Sequence, residues 1–125
     1  MGVFTGDLQI LLYTTAEQFI PCRDFYIALL ETSPYYTWDE SPEDCGAKFR
    51  AGRGTISILC QEHRGVVGPS VINLETADVE GTYRRVQALP KVRITQEPVV
   101  KPYGTHCFSL LDPCGNQLNL YQSNH

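Results

Sequence analysis

Gly104-Thr105-His106-Cys107-Phe108-Ser109-Leu110-Leu111-Asp112-Pro113-Cys114-Gly115-Asn116-Gln117-Leu118-Asn119-Leu120 is the stretch that decides the fold. Residues 105–111 and 116–122 read as two strands. Asp-Pro-Cys-Gly joins them as a tight turn, with Pro presetting φ at the second position and Gly closing the fourth. Working back from this hairpin, residues 92–100 form a weaker strand interrupted by Pro98. Before it, Val79, Tyr83, Val86 and Leu89 recur at helical spacing behind Asp78 as a cap, and Pro90 ends the pattern. Residues 71–76 open this half as a strand. The same order of elements fills the N-terminal half. Residues 8–13 are a strand, and Thr14 with Glu17 fits a capping box. Pro21 suits the first helical position, so the helix starts near Ile20 and carries Phe25, Tyr26, Leu29 and Leu30 until Ser33-Pro34. Strands at 35–38, 47–50 and 55–60 follow, the first two separated by an acidic turn over 39–44. Residues 61–69 form a polar connection. The halves share little sequence, so what repeats is the order strand, helix, three strands.

Composition narrows the functions open to such a chain. Its 125 residues, 42% hydrophobic and 19% charged, suit one globular domain over 1–125. The formal net charge of −4 argues against nucleic acid, which needs a basic stripe, and leans toward a cationic or neutral guest. The five cysteines are odd in number and contain no C-x-x-C pair. No basic start, apolar stretch and cleavage site mark the N-terminus. The apolar run Ile10 to Tyr13 is too short to span a bilayer. The expected setting is therefore a reducing cytoplasm, with no membrane partner.

The hairpin around Asp112-Pro113-Cys114-Gly115-Asn116, and the opening strand followed by a helix bearing Phe25-Tyr26, resemble the vicinal oxygen chelate superfamily. That superfamily includes glyoxalase I, bleomycin- and fosfomycin-resistance proteins and extradiol dioxygenases. The resemblance implies an α+β fold of two βαβββ modules, near 7–62 and 70–122. Curved mixed sheets would wrap a cleft, with the helices on the convex side. It also implies a homodimer whose clefts are completed by both subunits.

Strand alternation assigns the cleft face. Gln9, Leu11 and Tyr13 oppose Leu8, Ile10 and Leu12. Ser57 and Leu59 oppose Ile56 and Ile58, and Val71, Asn73 and Glu75 oppose Ile72 and Leu74. Gln117, Asn119 and Tyr121 oppose Leu118 and Leu120. Metal-using members of the superfamily place His, Glu or Gln near the starts of the first and fifth strands, on the fourth and on the last. Here those positions fall on Gln9, on Val71 or Asn73, on Ser57 or Leu59, and on Asn119. None is a histidine or carboxylate, so the donor set disfavours a divalent ion, and no cofactor is expected.

The remaining candidates have plainer readings. His63 lies in the connection and His125 at the terminus. His106 is either a half-buried strand residue or an acid/base group facing the cleft. As strand neighbours, His106 and Cys107 point to opposite faces and cannot act as a pair. Cys60 and Cys107 read as core residues, and Cys114 as an exposed turn thiol. Trp38, Tyr13, Tyr35, Tyr36 and Tyr121 serve equally as stacking surfaces or as core and dimer contacts. The acidic run 39–44 reads as a solvated turn, and Arg50 and Arg53 offer the alternative of an anionic guest. The resulting expectation is a metal-independent small-molecule-binding protein of bleomycin-resistance type. It would hold a bulky, aromatic or cationic ligand through Gln9, Tyr13, Trp38, Asn73, Asn119 and Tyr121. The alternative is a metal-dependent lyase, isomerase or dioxygenase. A third reading is an interaction module with an unfilled cleft.

Overall fold

In the first half, apolar residues alternate along a central strand, β4 (Gly54–Gln61), and put Ile56, Ile58 and Cys60 on one face. The computed structural model describes residues 2–4, 6, 8–61, 67–90, 92–102 and 104–123, so His63 and His125 lie outside the described residues. β1 (Gln9–Tyr13) runs parallel to β4. Between them in sequence lie α1 (Phe19–Leu30), β2 (Tyr36–Ser41) and β3 (Asp44–Ala51), giving the sheet order β1-β4-β3-β2. The second half repeats this plan with β5 (Val71–Glu75), α2 (Val79–Val86), β6 (Arg93–Val100), β7 (His106–Leu111) and β8 (Gln117–Gln122), in the order β5-β8-β7-β6. The fold is thus α+β, two four-stranded mixed sheets each with one helix, as two βαβββ modules require.

Each helix lies on the face that alternation makes apolar. Leu12, Ala47, Phe49, Ile56 and Ile58 are buried with Phe19, Cys22, Phe25, Tyr26 and Leu29 of α1. Ile72, Phe108, Leu110, Leu118 and Leu120 are buried with Val79 and Val86 of α2, and the Tyr83 and Phe108 rings meet edge to face at 5.2 Å. Burying a side chain of this size contributes about 1.5–3 kcal/mol. No helix among the described residues is long and apolar enough to cross a membrane.

The two modules are joined by polar contacts at their helices. Tyr26 on α1 donates to Asp112 Oδ2 at 2.7 Å, across 86 positions of sequence. Asp112 also accepts from Cys114 N (2.8 Å), Asn116 N (2.9 Å) and Asn116 Nδ2 (2.9 Å), so the β7–β8 turn is built around one buried carboxylate. Burial, and then the Asp112 charge, push the Tyr26 phenol well above its ordinary pKa. On the other side, Arg85 of α2 donates to the carbonyls of Ala28 (3.0 Å) and Leu29 (2.8 Å) and pairs with Glu31 (3.2 Å). A guanidinium thereby satisfies the terminal carbonyls of α1, which otherwise has no basic residue in its last turn.

Local expectations were met unevenly. Asp78 caps α2 through Gly81 N at 3.1 Å, as its position suggests. The Thr14–Glu17 capping box does not form. Thr14 is buried and its hydroxyl reaches Leu59 O at 3.4 Å, while α1 starts at Phe19 behind Gln18, which supplies no side-chain cap. Pro21 is accordingly the third helical residue rather than the first, still within the turn where its missing N–H costs nothing. The acidic stretch is mostly strand. β2 extends to Ser41 and β3 begins at Asp44, leaving Pro42-Glu43 as the turn and an irregularity between Asp39 and Ser41. An edge strand tolerates such charges because its outer groups face water. β6 runs through Pro98 as an edge strand, its register shifting twice between Ile94 and Val99.

Trp38 lies across Gly46 on the neighbouring strand and donates from Nε1 to Asp44 at 3.0 Å. A Cβ at Gly46 would run into the indole ring. Gly46→Ala should therefore expel Trp38 and cost about 1–3 kcal/mol, the usual range for overpacking. Tryptophan emission should shift to the red. Unchanged emission and stability would show that the ring does not occupy this place.

Candidate functional site

The helix-free face of the second sheet carries an open cleft of about 440 Å³. Alternation along β8 turns Gln117, Asn119 and Tyr121 to this face, and the pairing registers set Ser109 and Asn73 on either side of Asn119. Thr105, Cys107, Gln96 and Lys101 complete the lining. The polar groups form a directed ladder. Ser109 Oγ donates to Asn119 Oδ1 at 2.7 Å, and Gln117 Nε2 donates to the same oxygen at 2.9 Å. Asn119 Nδ2 then donates to Asn73 Oδ1 at 2.8 Å. Lys101 Nζ, on the loop after β6, reaches Gln96 Oε1 at 3.4 Å.

Asn73, Asn119 and Tyr121, three of the six expected site residues, are brought together here. The other three are not. Gln9 and Tyr13 sit on β1 and Trp38 on β2, the two opposite edges of the first sheet. Three inter-strand steps separate those edges, roughly 14 Å. Trp38 instead borders a separate hollow of about 400 Å³ with Phe19, Arg23, Pro42 and Gly46. On the helix-free face of the first sheet, aromatic rings hold cations, with Arg50 over Tyr35 at 4.8 Å and Lys48 over Tyr36 at 5.5 Å. Arg50 and Tyr35 both reach the Thr55 hydroxyl, at 3.4 and 3.2 Å. Ser57, 2% exposed on the central strand, has a side-chain oxygen with no hydrogen-bond partner among the described residues.

His106 is turned away from the cleft and meets Glu80 of α2 at 3.2 Å. Cys107 is buried like Cys60, as the core reading expects, and of His106 and Cys107 it is the one whose side also borders the cleft. The same parity that places Asn119 also places Ser109 and Cys107. Lys101 lies in a loop, where no alternation exists to assign it.

Cys114 is half-buried rather than exposed. Its sulfur meets Gln18 Oε1 at 3.2 Å and is hydrogen-bonded to buried Cys22 of α1. That bond from the Cys22 thiol draws Cys114 below the ordinary thiol pKa, and it is the main reason Cys22 is held protonated. Because the thiolate is the nucleophile, Cys114 should be alkylated by iodoacetamide before the other four cysteines, with a rate midpoint below that of an ordinary thiol. Peptide mapping after brief labelling checks this. Preferential labelling of Cys107 or Cys45 would contradict it.

The metal used by members of the superfamily that the chain resembles does not fit these residues. Both lone pairs of Asn119 Oδ1 are engaged by Ser109 and Gln117, and its nitrogen is committed to Asn73. Gln9 and Ser57 offer only neutral oxygens, and among the described residues no group of three or more His, Cys, Asp or Glu side chains is placed to hold an ion.

No protein-family model matches the chain, and no curated protein matches its sequence. Solved structures do match over nearly its full length. It is similar to a lactoylglutathione lyase from Agrobacterium tumefaciens at 16% identity and TM-score 0.75, covering 95% of this chain and 94% of that one. A glyoxalase/bleomycin resistance protein/dioxygenase superfamily member from Sphaerobacter thermophilus DSM 20745 is 17% identical, with TM-score 0.73 and coverage of 96% and 98%. TioX from Micromonospora sp. ML1 is 14% identical, with TM-score 0.76 and coverage of 94% and 98%. The chain has the vicinal oxygen chelate fold of the glyoxalase and bleomycin-resistance structures.

Proposed function

We propose that the protein is a metal-independent small-molecule-binding protein of the bleomycin-resistance type, sequestering a bulky, ring-bearing guest. The observation that carries this reading is the Ser109–Asn119–Asn73 ladder. It places fixed amide and hydroxyl groups in an open cleft and spends the Asn119 oxygen that a metal would need. A cleft of this size with a few oriented polar groups is the ordinary form of a small-molecule site. Tyr121 supplies a ring for stacking beside the amides. Two copies of the chain are proposed to pair, with exposed Leu11, Tyr36 and Val71 on the helix-free faces as the apolar surface for contact. The five cysteines, all unpaired, support a reducing, cytoplasmic setting.

A thermal-shift screen in the presence of a chelator tests the reading, because a ligand that binds only the folded state raises the melting temperature by mass action. Specific ring compounds should stabilise the chelated protein. Stabilisation or turnover that appears only after adding Mn, Fe, Ni or Zn would favour the metal-dependent lyase, isomerase or dioxygenase reading. No shift with any compound, metal present or absent, would favour an interaction module.

A further inference from the structure

We infer that the cleft recognises its guest through a negatively charged, acceptor-bearing end, a carboxylate on an organic ring compound, and not through a cation. The inference rests on the reading of this cleft as the ligand site. It reverses the lean that the overall acidic charge suggests.

Two independent features of the lining point the same way. The first is charge. Lys101 is the one ionised side chain among the nine lining residues, which include no aspartate, glutamate or histidine. An ammonium guest would meet a like charge at Lys101 with no carboxylate among the nine described lining residues, since Glu75, paired with Tyr121 on β8, borders the separate hollow beside α2. The second is the direction of the hydrogen bonds. Asn119 Oδ1 takes two donors, Asn73 Oδ1 takes one, and Gln96 Oε1 faces the Lys101 ammonium. Of the four lining amide oxygens, Asn119 Oδ1 is filled, Asn73 Oδ1 and Gln96 Oε1 each hold one donor, and no described residue donates to Gln117 Oε1. The free donors of the lining gather at the β6 edge, where the Gln96 amide nitrogen, the Lys101 ammonium and the Thr105 hydroxyl line the cleft together, away from the free Gln117 oxygen on β8. A guest that offers acceptors is matched by that set. A guest that offers only N–H donors would leave donor facing donor, and an unmatched buried donor is costly.

A carboxylate would sit at the β6 edge of the cleft, against Lys101, the Gln96 amide nitrogen and the Thr105 hydroxyl, with its ring over the amides of the ladder. A charge-assisted hydrogen bond is stronger than a neutral one, so the acid should bind about tenfold tighter than its own primary amide. Adding salt should narrow the gap, since Lys101 is partly exposed.

The test is protein-observed NMR on the full chain with three matched fragment sets: naphthoic and related ring carboxylic acids, their primary amides, and the corresponding ring methylammonium compounds. Binding is mapped on the side-chain amide signals of Asn73, Gln117 and Asn119. The expected result is that the acids perturb these signals at about one-tenth the concentration the amides need, with the ammonium set weakest. Lys101→Met should bring acids and amides to similar affinity while backbone signals show the fold intact, and Lys101→Arg should restore the preference. Ammonium compounds binding best, or an acid preference unchanged in Lys101→Met, would overturn the inference while leaving the cleft as a ligand site. Fragments of all three sets failing to touch these amides would instead remove the ligand-site reading, and the inference with it.

Discussion

Replacing Asp112 by alanine is expected to cost about 3–5 kcal/mol of folding free energy, among the largest effects of any single substitution here. The side chain is 5% exposed and accepts four hydrogen bonds, from Tyr26, from two backbone amides of its own turn and from Asn116 Nδ2. Its removal leaves a buried phenol without an acceptor and the turn without its organising centre. Net stabilities are only about 5–15 kcal/mol, so the loss would unfold a sizeable share of molecules under mild conditions. Tyr26→Phe removes one of the four bonds and should cost about 1–2 kcal/mol. A double-mutant cycle should then show strong coupling between residues of different modules, because the pair is in direct contact. Urea denaturation reads all three variants. A loss below about 1 kcal/mol for Asp112→Ala would show that the module junction does not depend on this carboxylate.

The second large effect concerns the cleft. Asn119→Leu keeps the volume but deletes the group on which the ladder turns. Ser109 and Gln117 lose their shared acceptor, and Asn73 loses its donor. Affinity for a cleft ligand should fall about 10- to 100-fold, the range expected when a positioned polar group is replaced by an apolar one. Stability should fall by no more than about 1–2 kcal/mol, since leucine fits a half-buried strand position. Unchanged affinity with a folded protein would remove Asn119 from the site.

Much of this arrangement is legible in the residues because a strand has a period of two. Once Leu118 and Leu120 are taken as inward, Gln117, Asn119 and Tyr121 must share the other face, and the paired registers bring Asn73 and Ser109 beside them. The order strand, helix, three strands in both halves is likewise a local property. What could not be read is whatever depends on distant contacts. Thr14 is committed to the carbonyl of Leu59, 45 residues away, so a local capping pattern failed there. The hydroxyl of Tyr26 and the carboxylate of Asp112 carry no mark that they will meet. Gln9 and Tyr13 join the asparagines by face and Trp38 as a stacking ring, and neither ground says that β1 and β2 end on opposite edges of another sheet. The charge at the cleft is hard to read from the residues for a related reason. A sum over the chain says little about nine side chains, and Lys101 reaches them from a loop.

Native mass spectrometry of freshly purified protein, before and after chelation, tests most directly whether the cleft holds a small molecule without a metal. It reports metal, organic guest and subunit number in one spectrum. The expected result is metal well below one per chain and an organic guest, co-purified or added, that stays bound through chelation and is lost in Asn119→Leu. One Mn, Fe, Ni or Zn per chain, whose removal releases the guest, would contradict it.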